Sequence, residues 1–170
     1  MQVLRRQHET RTGLYTDAER RRRDASPWTL VQAILAPLQF LVFLVSLVLV
    51  LRTLATGEGA FAANASIILK TLLLYTIMVT GSLWEKDVFG KYLFAPAFFW
   101  EDAVSFIVIA LHTAYLICLL MGSLSETGLL ILALVAYAAY VANAAQFLLK
   151  LRAARLERPS ATLDSAEAAS

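Results

Sequence analysis

Two acidic residues stand side by side at Glu101 and Asp102, directly after the aromatic run Phe98-Phe99-Trp100 and directly before a long apolar stretch. Two more, Glu85 and Asp87, follow the preceding apolar stretch, and His112 lies inside the later one. Carboxyl groups brought together beside aromatic rings can hold a proton between them, as an acid catalyst must. A helix N-terminus favours carboxylates, so capping accounts for one of Glu101 and Asp102 and leaves the other to chemistry. Glu85, Lys86 and Asp87 read equally as a solvated loop. His112 has three readings: a satisfied interior histidine, a ligand to a metal or cofactor, or an acid/base.

Helical periodicity groups these residues. Glu101, Ser105, His112 and Tyr115 fall at i, i+4, i+11 and i+14, one stripe of a helix, with Asp102 one step round. Glu101 therefore points into a bundle, with Asp102 placed to cap the helix. His112 lies about 15 Å deeper along the axis than Glu101, so the two cannot touch the same reacting atom. Gln32, Gln39 and Ser46 form a second stripe, and Tyr137, Tyr140, Asn143 and Gln146 a third that ends at Lys150. Lys70, Tyr75, Thr76 and Thr80 give the remaining helix a polar side. Such residues often do no more than hydrogen-bond between membrane helices. The aromatics around the acids (Trp84, Phe89, Tyr92, Phe94, Phe98, Phe99 and Trp100) read as an interfacial belt, as the wall of a flat apolar slot, or as both.

The elements that must position these groups are membrane helices. Of 170 residues 59% are hydrophobic and 16% charged, with a mean hydropathy of +0.64. Soluble domains run nearer 45–50% and about 25%. The apolar excess falls in four runs, residues 31–51, 65–83, 103–122 and 128–149, each close to the ~20 residues that span a bilayer as a helix. The fold class expected is all-α, a four-helix integral membrane bundle. Residues 1–27 form an Arg-rich segment, 28–150 the membrane domain and 151–170 a tail. Seven arginines precede residue 28, and Lys150, Arg152, Arg155 and Arg158 follow the last run. Lys86 and Lys91 lie in the middle loop, and the other two loops share only Arg52. The positive-inside rule then predicts that both termini and the middle loop are cytoplasmic. The arginine run at 20–23 also suits anionic lipid. The first run is too long for a cleaved signal, and Pro37 is expected to kink it. Residues 1–24 and 160–170 read as loosely held.

Several chemistries are excluded. Cys118 alone cannot form an intrachain disulfide. A bis-histidine haem is disfavoured because the other histidine, His8, lies in the tail. No Glu-x-x-His spacing suggests a dinuclear carboxylate site, and no glycine-rich loop suggests a nucleotide. A net charge of +2 gives no case for nucleic acid.

Four segments carry a resemblance: "RRRRDASPWTLVQAILAPLQFLVFLVSLVLVLRTLATGEG", "KTLLLYTIMVTGSLWEKDVFGKYLFAPAFFWEDAVS", "ALHTAYL" and "NAAQFLLKLRAARL". Together they closely resemble the bacteriochlorophyllide 3-vinyl hydratases of phototrophic bacteria, also called 2-vinyl bacteriochlorophyllide hydratases. The resemblance implies a hydro-lyase of bacteriochlorophyll biosynthesis in the bacterial inner (intracytoplasmic) membrane. It implies addition of water to the C3-vinyl group of chlorophyllide a or a related precursor, giving a 3-(1-hydroxyethyl) group. It implies no cofactor, since no redox change occurs and the magnesium belongs to the substrate. Other enzymes of the pathway are then possible partners, along with membrane lipid. On this reading Glu101, Asp102, Glu85, His112 and Tyr115 are the catalytic candidates, with Glu101 the favoured proton donor and Glu85 in reserve, and the seven aromatics with Ser105 line the substrate slot. His112, with Tyr115 nearby, is the candidate ligand to the pigment's magnesium. Two alternatives belong to other classes: a tetrapyrrole carrier without catalysis, and a small haem- or quinone-binding membrane subunit.

Overall fold

The computed structural model describes residues 14–156, which form five helices: α1 (Asp17–Ala25), α2 (Pro27–Thr56), α3 (Ala60–Phe89), α4 (Phe99–Met121) and α5 (Glu126–Leu156). No strand occurs among the described residues. The four long helices are each long and apolar enough to cross a membrane. Their outer faces are apolar and exposed, with Val48 at 65%, Val79 at 60% and Leu120 at 85%, as a lipid-facing surface requires.

The helices pair as two hairpins. α2 and α3 turn at Gly57 to Gly59, and α4 and α5 turn after Gly122. The first hairpin is tied by hydrogen bonds from Gln32 to Thr80 (2.7 Å), Trp84 to Thr29 (3.0 Å) and Ser26 to Asp87 (2.7 Å). The second is tied by Asn143 donating to Ser105 (2.8 Å) and by Lys150 meeting Glu101. Three further ties join one hairpin to the other: Ser46 with Tyr137 (2.5 Å), Tyr75 with Thr113 (2.7 Å) and Tyr115 donating to Asn64 (2.6 Å). Phe43, Val50, Ile67, Leu74, Val108 and Leu130 fill the space between them.

At about 1.5 Å per residue, the 30-residue α2 and α3 are about 45 Å long, more than the ~30 Å hydrocarbon core. Their ends stand clear of it. Glu85, near the end of α3, and the start of α4 share one end of the bundle with α1 and Lys150. α2 runs unbroken through Pro37.

One expectation is corrected. Residues 17–24 belong to a helix rather than a loosely held tail. Thr16 accepts from the Glu19 amide (3.3 Å), and Glu19 accepts from the Thr16 amide (2.8 Å). This reciprocal cap satisfies two orphan donors of the first turn. Tyr15, before the cap, packs into the bundle and stacks on Phe89 at 5.8 Å. Burial pushes its phenol up to about 12, against the lowering pull of the Arg23 guanidinium 5.1 Å from the ring centre. The expectations for residues 1–13 and 160–170 lie outside the described residues.

Candidate active site

The site is built where α3 ends and α4 begins. Gly90 stops α3 in the left-handed conformation, φ 78°, its amide bonded to the Lys86 carbonyl. The chain then returns through residues 91–98. Phe94 adopts φ 57°, unusual for a residue with a side chain and a mark of local strain of order 1–3 kcal/mol. Two carboxyl groups hold the loop in that shape. Asp102 accepts from the Phe94 amide (2.7 Å), and Glu85 accepts from the next amide, Ala95 (3.2 Å). The carboxyls are buried, 5% exposed at Glu85 and 3% at Asp102, and they hold consecutive amides of one loop, which brings them to the same place. Two carboxyls that share such a place can hydrogen-bond to each other only when one carries a proton.

Glu101 turns another way. Its carboxylate meets Lys150 of α5 at 2.5 Å, and the same ammonium donates to the Ala97 carbonyl and lies 5.1 Å from the centre of the Phe98 ring. Successive residues of a helix point about 100° apart, so neighbouring acids reach different helices: Asp102 meets α3 and Glu101 meets α5. Neither acid caps α4 as expected; the N-cap position is Phe98, with no side-chain cap bond. Asp102 instead holds the loop in front of its helix. Lys150 was legible as the end of the α5 stripe, but its partner was not.

The aromatics divide into two groups. Trp84, Phe89 and Phe98 form an inner cluster with Tyr15 and Phe147, with Phe98 2% exposed. Tyr15 and Phe147 were absent from the expected set; no spacing in the sequence ties either to the acids. Phe94, Phe99 and Trp100 form an outer face, 39%, 46% and 71% exposed, with Phe94 stacked on Phe106 at 5.5 Å. Tyr92, exposed, takes a hydrogen bond from Lys86. Phe94 joins the two regions: its amide is held by Asp102 while its ring lies on the outer face.

His112, Tyr115 and Ser105 are buried as the stripe requires, yet they do not converge on the acids. Ser105 takes the amide of Asn143. The Val108 carbonyl can only accept, so His112 Nδ1 carries the proton it donates there (2.8 Å), and in the neutral ring Nε2 then presents a lone pair. Tyr115 reaches Asn64 of α3, away from the carboxyl pair. No cluster of three or more metal-ligating side chains occurs among the described residues.

The sequence comparisons identify the family. A family model described as 2-vinyl bacteriochlorophyllide hydratase matches residues 15–153. The chain belongs to this family. A protein of Rhodobacter capsulatus named 2-vinyl bacteriochlorophyllide hydratase is 68% identical over 154 residues, 91% of this chain and 90% of its own. A protein of the same name from Cereibacter sphaeroides is 68% identical over 149 residues, 87% of this chain and 92% of its own. No solved structure matches. The whole site, from Tyr15 to Lys150, lies inside the span of the family match.

Proposed function

We infer that the chain is a membrane hydro-lyase that adds water to the vinyl group of a bacteriochlorophyllide in bacteriochlorophyll biosynthesis, with Glu85 and Asp102 as its acid/base pair. The observation that carries the residue assignment is the convergence of two buried carboxyls on two consecutive loop amides. The substrate class is chlorophyllide a or a related magnesium chlorin, and the product is its 3-(1-hydroxyethyl) derivative.

The pair delivers its shared proton to the terminal vinyl carbon. Cationic character develops on the carbon attached to the ring, where the macrocycle delocalises it. A water oxygen bonds to that carbon, and the proton it sheds returns to the carboxylate. One water is consumed, the pair regains its proton, and no electron is transferred, so the chemistry asks for no cofactor. General acid–base groups typically contribute about 10²–10⁴-fold in rate. Glu101, the donor favoured by helical spacing, is engaged by Lys150; here it positions the start of α4. The flat ring lies on the outer aromatic face of Phe94, Phe99 and Trp100, and the Phe94 backbone brings that face to the carboxyl pair. His112, 0% exposed beneath the packed core, is not a contact of the reacting carbon.

The Lys/Arg distribution supports a bacterial inner-membrane protein with both termini and the site in or facing the cytoplasm. Purified protein given the vinyl pigment should yield the hydroxyethyl pigment without added cofactor, read by chromatography. Pigment that binds, shifts its absorption and returns unchanged would make the chain a carrier. Single cysteines at Gly57, Gly90 and Ser125, with Cys118 replaced, test the orientation: labelling of Gly90 from the periplasmic side would overturn it.

A further inference from the structure

We propose that a file of bound water runs inside the bundle from the carboxyl pair to the level of His112, and that it supplies the water consumed by the hydration. The supply role rests on the reaction proposed above. Among the described residues, six buried side-chain atoms have no hydrogen-bond partner: both amide atoms of Gln39, Lys70 Nζ, His112 Nε2, Asn143 Oδ1 and Gln146 Oε1. They come from all four long helices. Gln39 is 2% exposed, Lys70 and His112 0%, and Asn143 8%. Each such atom costs roughly 1–3 kcal/mol if it stays unpaired, so the bundle is built around something that pairs them.

These groups lie in one part of the core. Lys70 Nζ lies 3.7 Å from the Tyr140 ring centre and 5.3 Å from that of Tyr137. The His112 ring lies 5.9 Å from Tyr137. Phe43 meets Tyr140 at 5.1 Å, and Gln39 lies one turn before Phe43 on α2, towards the carboxyl end. Along α5 the rungs Tyr140, Asn143, Gln146 and Lys150 rise by roughly 4.5–6 Å each. One water hydrogen-bonded to two rungs spans about 5.5 Å. The last rung, Lys150, holds Glu101, the neighbour of Asp102.

The donor set selects water. Lys70 and the Gln39 amide nitrogen donate, whereas His112 Nε2 and the oxygens of Gln39, Asn143 and Gln146 accept. An anion would leave the acceptors unmet, and a cation would leave Lys70 unmet. Water donates and accepts, and a buried water typically joins about three such groups. The column also has a closed end. Beyond His112, Ser46 pairs with Tyr137 and Ser66, Tyr115 pairs with Asn64, and Thr71 bonds the Ile67 carbonyl. Val50, Ala63, Ile67 and Ala133 pack around them at 0% exposure. With a flat pigment on the outer aromatic face, the core is the side from which water reaches the vinyl carbon. Its oxygen forms the new C–O bond and its proton goes to the carboxylate.

The test is radiolytic hydroxyl labelling in membranes, read by mass spectrometry, together with turnover of Gln39→Leu. Tyr140 and His112 should be labelled despite their burial, while Tyr115, as buried as His112 but at the closed end, is not. Gln39→Leu removes two unpaired atoms and no protein hydrogen bond, so it should fold. It should reduce labelling of Tyr140 and His112 towards the level of Tyr115, and slow hydration while pigment binding is unchanged. Two results would overturn the proposal: Tyr140 and His112 as unlabelled as Tyr115, or Gln39→Leu hydrating at the wild-type rate. Wild-type protein that hydrates without such labelling removes the water file and leaves the proposed function standing. Wild-type protein that binds pigment but never hydrates it removes the function itself, and the supply role with it.

Discussion

Replacing Lys150 by methionine keeps most of the apolar stem of the side chain and deletes its charge. Lys150 holds the Glu101 carboxylate at 2.5 Å and the Ala97 carbonyl, and its side chain is 27% exposed against 7% for Glu101. Removing one partner of a buried ion pair costs about 3–5 kcal/mol. Partial exposure of the lysine lowers this to about 2–3 kcal/mol here, because water reaches one side of the pair. The cost is a stranded carboxylate, so Glu101→Gln in the same chain should return most of it. The two substitutions should be non-additive by about 1–3 kcal/mol, well beyond the ~0.5 kcal/mol seen for independent sites. Hydration should follow the same order. Lys150→Met leaves a third carboxylate beside Asp102 to compete for the shared proton, and Glu101→Gln removes the competitor. The assay is a double-mutant cycle on unfolding of the purified protein in detergent, with pigment turnover measured on the same four samples. Additive stabilities, or a double variant as inactive as Lys150→Met, would refute the assignment of Glu101 to Lys150 and of the proton to the other pair.

Phe94→Gly should separate folding from binding: the strain that glycine relieves at φ 57° offsets part of the added chain entropy and of the lost stacking on Phe99 and Phe106, so stability changes by no more than about 1–2 kcal/mol, while loss of the ring weakens pigment binding, read by fluorescence quenching. Thr16→Ala removes the reciprocal cap of α1 and should cost about 1 kcal/mol locally. It would appear as faster tryptic cleavage within Arg20–Arg23, and an unchanged cleavage rate would mean that the cap does not hold the helix.

Much of the architecture is legible in the chain because a bilayer imposes its length on apolar runs, and the four long helices cover the four runs. The stripe of Glu101, Ser105, His112 and Tyr115 is legible for a similar reason: all four are buried, as their spacing on one helix requires. Partnership across helices is not legible in this way. Whether Asp102 or Glu101 meets Glu85 depends on how α4 is rotated, and a rotation of about 100° would exchange their roles. That rotation is set by a loop whose left-handed Phe94 no local pattern announces. The carboxyl pair joins residues 17 apart in sequence, and only the loop's return brings them together. A signal for α1 is present in Thr16-x-x-Glu19, a capping signature, but the charge run after it reads more readily as a solvated tail, which is why the helix was not expected.

The most direct test of the central claim is the rate of vinyl hydration by Glu85→Gln, Asp102→Asn and Glu101→Gln, compared at equal membrane abundance and equal pigment occupancy. In the first two the amide oxygen can still take the loop amide, so the loop keeps its shape while the shared proton is lost. The account predicts that Glu85→Gln and Asp102→Asn each fall by about 10²–10⁴-fold, with Glu101→Gln retaining more activity than either. Near-wild-type hydration by Glu85→Gln and Asp102→Asn, with Glu101→Gln inactive, would contradict it and return the proton to Glu101.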